Sequence, residues 1–118
     1  GAWAASNIPS QLPTIDVNDV DTAGSVMLLD CREDDEWRAG RVDGAVHIPM
    51  AQLPSRIDEL DGSRVIVCIC RSGNRSGKVT AWLLSKGHSA MNMTGGMKAW
   101  AAAGREVTGP GGTAGTVI

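Results

Sequence analysis

Ile66-Val67-Cys68-Ile69-Cys70-Arg71-Ser72-Gly73-Asn74-Arg75-Ser76-Gly77-Lys78 is an apolar run that stops at a cysteine and turns at once into a small, polar, cationic loop. The apolar run reads as a buried strand. Beyond the loop, Val79, Trp82 and Leu83 fall at i, i+3 and i+4 and form one apolar stripe that Gly87 stops, so the loop feeds a helix. Cys70 therefore stands where a strand ends and a helix begins. The first backbone N–H groups of such a helix lack intrahelical partners, and Gly73 and Gly77 permit the backbone angles that let them curl around one atom, the Cys70 sulfur. Those N–H groups, the positive end of the helix dipole and the charges of Arg71, Arg75 and Lys78 act on the sulfur in one direction, with no carboxylate between positions 62 and 105. They favour the anionic, nucleophilic sulfur, and the same donors suit whatever anion it attacks or becomes. A purely structural reading, a buried cysteine ahead of a solvated basic turn, does not account for Gly, Asn and two Arg packed behind one Cys.

Outward from this stretch, strand and helix alternate. Thr14-Ile15-Asp16-Val17 is read as a short edge strand, with a helical turn at Asp16–Val20, and Val26-Met27-Leu28-Leu29 as a strand covered on both faces that ends at Asp30. Asp34, Asp35 and Glu36 fill the first turn of a short helix that carries Trp37 inward and stops at Gly40. Ala45–Ile48 is the next strand, and Leu53, Ile57 and Leu60 mark a helix with Pro54 in its first turn and Gly62 after its end. Ala90–Met93 is the last strand, and Gly95-Gly96 opens a helix with Met97, Trp100 and Ala101 on one face. This rhythm specifies an α/β domain whose parallel sheet has helices on both sides, with ligands expected at the carboxyl ends of the strands, where Cys70, Asp30 and the Thr94-Gly95-Gly96 turn all lie. Residues 1–13 read as a flexible segment without function, 14–107 as the domain, and the Gly-rich tail 108–118 as mobile unless its apolar end docks.

The 118 residues, 42% apolar and 20% charged, suit one domain with one compact core. Phe and Tyr are absent, so Trp37, Trp82 and Trp100 are the large pieces available to that core. A net charge of −2, with the loop as the only basic cluster, excludes a nucleic-acid partner. Three cysteines at these spacings fit neither a disulfide framework nor a metal site, which predicts free thiols, a reducing compartment and a cytoplasmic location. No long apolar run or secretory leader is evident, so no membrane association is expected.

Cys70-Arg71-Ser72-Gly73-Asn74-Arg75-Ser76 resembles the active-site loop of the rhodaneses, the thiosulfate:acceptor sulfurtransferases. Leu28-Leu29-Asp30-Cys31-Arg32-Glu33 through Glu36-Trp37, Gly40 and Gly44-Ala45-Val46-His47-Ile48-Pro49 is similar to the upstream signature of that family. Gly95-Gly96-Met97 with Trp100 and Gly104 is similar to its C-terminal one. The likeness spans roughly residues 14–107 in order and spacing. Three positions depart from the pattern: in Gly40-Arg41-Val42, Arg41 and Val42 replace the His and Ile of the usual Gly-His-Ile, and Cys31 replaces a plain aliphatic. The resemblance implies a three-layer α/β/α fold around a mostly parallel five-stranded sheet. It implies Cys70 as the catalytic residue, forming a persulfide, with Arg71, Ser72, Gly73, Asn74 and Arg75 binding the substrate. Asp30 and Arg32 are expected to form a structural pair, and Glu36 to support Arg75. The donor would be thiosulfate or a similar small molecule, the acceptor cyanide or a thiol, a protein thiol included, with no cofactor and no metal.

Two rival readings are weighed. A cysteine phosphatase or arsenate reductase uses a similar loop one residue longer than the four that separate Cys70 from Arg75. A regulatory, protein-binding module that only keeps the fold would not require the complete loop, whereas a persulfide carrier that takes sulfur from one protein and gives it to another would, and stays open as the alternative. Cys68 points to the same sheet face as Cys70, but two Cα atoms about 6.6 Å apart along one strand are poorly placed for a disulfide. Cys68 and Cys31 are therefore read as small buried hydrophobes, and Cys70 as the one thiol that combines exposure with cationic neighbours. His47 and His88 receive no catalytic role.

Overall fold

The computed structural model describes residues 11–118, so most of the N-terminal segment, Trp3 included, lies outside the described residues. Five strands, β1 (Thr14–Ile15), β2 (Met27–Asp30), β3 (Val46–His47), β4 (Ile66–Ile69) and β5 (Ala90–Met93), form one sheet in the order β1-β5-β4-β2-β3. Every neighbouring pair is parallel. Because β4 is central, all four of its residues are fully buried. Its side chains alternate between two cores. Ile66 and Cys68 face one with Leu29, Leu53, Val79 and Leu83; Val67 and Ile69 face the other with Leu28, Met93, Met97 and Trp100.

The first core is roofed by α2 (Asn74–Ser85) and the second by α3 (Gly96–Ala102), which makes the three layers, with α1 (Asp34–Ala39) at the carboxyl end of β2. The stripe read from Val79 and Leu83 is the buried face of α2, while Trp82 is half-buried at its margin. Gly87 closes α2 as expected: at φ 88° its N–H donates to the Leu84 carbonyl and that of His88 to the Leu83 carbonyl. Among the described residues no helix is long and apolar enough to cross a membrane.

Three local expectations are corrected. Leu53, Ile57 and Leu60 belong to two short 3-10 helices, Met50–Ser55 and Ile57–Glu59, because Pro54 cannot donate and its ring opposes a continuous α-helix. The buried residue of α1 is Glu36, not Trp37, which is half-buried, stacked on His47 at 4.7 Å and covered by Arg41. The Gly-rich tail takes the docked alternative. Thr108 bridges both Arg41 and Ala114, the Gly115 N–H donates to the Val107 carbonyl at 2.8 Å, and that of Thr116 to Ala39 at 2.9 Å. Its glycine permits close approach rather than looseness, since Gly115 lies against Gly40, where a Cβ would overlap the Thr116 backbone.

Candidate active site

The loop between β4 and α2 is held from three sides. Beneath it, the first N–H groups of α3 donate outward, Met97 to the Cys70 carbonyl at 2.8 Å and Lys98 to the Arg71 carbonyl at 3.0 Å. These bonds satisfy donors that a helix start leaves unpaired. Because the peptide unit is planar and trans, carbonyls drawn toward α3 turn the N–H groups of Arg71 and Ser72 the opposite way. Gly96, at φ 60°, is what allows this docking, since a Cβ there would overlap the Cys70 carbonyl and the Arg71 backbone. The Gly95-Gly96-Met97 motif is thus a seat for the loop.

From the side, Arg75 near the start of α2 makes two parallel bonds to Glu36 on α1, Nη1 to Oε1 at 2.7 Å and Nη2 to Oε2 at 2.8 Å. Glu36 Oε1 also accepts the Glu33 N–H at 3.0 Å, so one carboxylate caps α1 and anchors α2. The Arg75 guanidinium, foremost, holds the Glu36 carboxyl below its usual range, and Glu36 in turn raises Arg75.

From the strand behind, Asn92 on β5 donates its amide Nδ2 to the Gly73 carbonyl at 3.0 Å and accepts at Oδ1 from the Ser76 hydroxyl at 2.6 Å. Neither Asn92 nor Ser76 was assigned a role from sequence. The one available signal was an amide interrupting the apolar run Ala90-Met91-Asn92-Met93.

Cys70 lies in the middle, and its surroundings differ from the expectation in one respect. The residue is 1% exposed, because its side chain enters the core beside Cys31 and Cys68 while Gly73 and Ser76 close over it. Two polar groups reach the sulfur, the Gly73 N–H at 3.0 Å and Ser76 Oγ at 3.2 Å. Gly73, at φ 100°, can aim its N–H there while acting as the N-cap of α2. Ser72 and Asn74 are exposed on the rim, as is Arg71, whose Nε donates to the Ile118 carbonyl at 2.8 Å.

Asp30 and Arg32 lie fully buried at the end of β2. Arg32 Nε and Nη2 meet both Asp30 oxygens at 2.8–3.0 Å, and Nη2 reaches the Gly40 carbonyl at 2.7 Å. They join β2 to the end of α1 and make no contact with the sulfur. Cys31 donates its S–H to the Ile69 carbonyl, and burial pushes its thiol well up; burial likewise pushes Cys68 to about 12. All three cysteines are free. Among the described residues no group of His, Cys, Asp and Glu is placed to hold a metal ion.

The family model for the rhodanese-like domain matches residues 15–103. The chain is 44% identical over 73 residues to the putative sulfurtransferase YtwF of Bacillus subtilis, covering 62% of this chain and 71% of that protein. To a sulfurtransferase of Allochromatium vinosum it is 36% identical over 88 residues, 74% of this chain and 82% of the relative. Among solved structures, a rhodanese-related protein from Thermoplasma volcanium superposes with a TM-score of 0.78 at 26% identity, over 81% of this chain and 97% of that one.

Proposed function

We propose, from the premise that the chain belongs to the rhodanese-like domain family, that it is a sulfurtransferase that carries sulfur on Cys70. The observation that carries this reading is the Cys70 sulfur at the floor of the loop, beneath the Gly73 N–H and with the peptides of Arg71 and Ser72 turned away from α3. The Cys70 thiolate attacks the outer sulfur of thiosulfate; the S–S bond of the donor breaks and sulfite leaves with the electron pair. The product, Cys70-S-S⁻, keeps its single negative charge on the outer sulfur, where preorganised N–H dipoles stabilise it without reorganisation. An acceptor thiolate or cyanide then attacks that outer sulfur and regenerates the thiolate. The residues require no cofactor for either displacement. Arg71 on the rim is placed to attract a dianionic donor, and Ser72 and Asn74 to meet its oxygens. Free thiols at all three cysteines fit a reducing compartment such as the cytoplasm.

Phosphoryl chemistry is the weaker reading. A phosphatase loop aims its arginine at the bound oxyanion, whereas here both outer nitrogens of Arg75 are bound to Glu36.

Intact mass before and after incubation with thiosulfate tests the reading. One sulfur atom is expected to be added, mapping to Cys70, and none in Cys70→Ser. Sulfur found on Cys68 or Cys31, or a Cys70→Ser variant that still turns over, overturns it.

A further inference from the structure

Ser76 carries one hydroxyl proton and faces two acceptors, Asn92 Oδ1 at 2.6 Å and Cys70 Sγ at 3.2 Å. The orientation of the Asn92 amide decides between them. Its Nδ2 lies 3.0 Å from the Gly73 carbonyl, and the reversed amide would set oxygen against oxygen there, so Oδ1 must be the atom facing Ser76. Both side chains are buried, Ser76 completely and Asn92 to 8% exposure, and an Oδ1 without a donor in that setting is costly. The Ser76 proton therefore stays on Asn92, and Ser76 presents only lone pairs to the sulfur.

We infer that Asn92 is a positioning residue for sulfur transfer, acting through Ser76: it withholds the Ser76 proton from the Cys70 thiolate while its other end aims the Gly73 N–H at the same sulfur. The inference rests on the sulfur-transfer reading of Cys70 and adds a cause for the reactivity of that thiolate. In the free enzyme the negative charge sits on Sγ with one donor fewer than the site could offer, which keeps the sulfur nucleophilic. In the persulfide the charge has moved to the outer sulfur and Sγ is a neutral bridging atom, so the Ser76–Asn92 bond costs nothing. Withholding the proton thus raises the free thiolate relative to the loaded state and favours loading.

The titratable groups facing the sulfur are Cys31 beyond the end of β2, Cys68 on β4 and Arg75 on α2. Burial keeps the Cys31 and Cys68 thiols protonated across neutral pH and Arg75 remains charged, and the same titration of Cys70→Ser identifies the absorbance that Cys70 contributes.

The experiment measures the pH midpoint of that ultraviolet absorbance in the full chain and in Ser76→Ala, Asn92→Leu and the double variant. Ser76→Ala should leave the midpoint in place or lower it, because no donor is lost. Asn92→Leu frees the Ser76 proton for the thiolate and should lower the midpoint by about one pH unit, a tenfold change in the ionisation constant. In the Ser76→Ala background the same substitution should do nothing further. A rise of about half a pH unit or more in Ser76→Ala would show that Ser76 donates to the thiolate and overturn the inference. So would an Asn92→Leu shift that persists without Ser76, since it would then act only through loop geometry. If Asn92→Leu does not fold, the Ser76→Ala arm decides alone. Failure of the sulfur-transfer reading looks different: the wild type would take no sulfur from thiosulfate while the midpoints still followed this pattern.

Discussion

Replacing Arg75 with alanine should damage stability and turnover together. The pair it breaks is partly buried, with side-chain exposures of 34% for Arg75 and 12% for Glu36. Exposed pairs contribute about 0.2–1 kcal/mol, whereas losing one partner of a fully buried pair costs about 3–5 kcal/mol. Solvent screening at the Arg75 end places this bidentate pair between the two, at about 1–2 kcal/mol. For a domain of this size that is a fall in melting temperature of about 4–8 °C. The value of kcat should fall as well, because the Arg75–Glu36 bonds fix the start of α2, and with it Gly73 and Ser76, relative to the β2 side of the sheet. The pH dependence has a defined sign. Glu36 is held below its ordinary 4.5, chiefly by the Arg75 hydrogen bonds. A carboxyl depressed in the folded state contributes its stability above the unfolded value and loses it as pH falls through the folded one. The stability gap between wild type and Arg75→Ala should therefore be constant near neutrality and shrink below 4.5. Thermal melts at both pH values, with steady-state kinetics, measure this. An Arg75→Ala protein within about 0.5 kcal/mol of wild type, with unchanged kcat and only a raised KM, would refute the argument.

Gly96→Ala combines a left-handed backbone with overlap against the loop, costing about 2–4 kcal/mol by denaturant melt, and it should depress kcat in the protein that remains folded. Arg71→Ala should raise the thiosulfate KM and flatten its dependence on ionic strength while changing stability by less than about 0.5 kcal/mol, the bond to the Ile118 carbonyl being exposed; kinetics at two salt concentrations check it. Cys31→Ser and Cys68→Ser should keep most activity and lose stability, by about 1–3 kcal/mol where a hydroxyl is left without its partner, as read by chemical denaturation.

The chain's local patterns were enough to define its layers. A continuous apolar run means a strand covered on both faces, and β4 is such a strand; an i, i+3, i+4 stripe means one buried helix face, and α2 has it. Both signals are local because burial of a repeating face is written into neighbouring residues. The corner between them put Cys70 at the end of a strand and Gly73 where a left-handed turn is needed, and the motif resemblance named the remaining loop residues. Long-range pairing was not legible in this way. Ser76 and Asn92, 16 positions apart, meet because the sheet order sets β5 beside β4, whereas the Glu36–Arg75 pair, 39 positions apart, is the one long-range contact of the loop that the sequence led one to expect. The same tertiary packing chose Glu36 over Trp37 as the buried residue of α1, since the carboxylate pairs with the Arg75 guanidinium, while Trp37 stays half-buried against His47 and Arg41. It also drew the glycines of the tail against Gly40, where sequence composition alone suggests a loose end. Periodicity records which face of an element is apolar; which polar atom meets which depends on register and strand order, and those are settled only when the sheet closes.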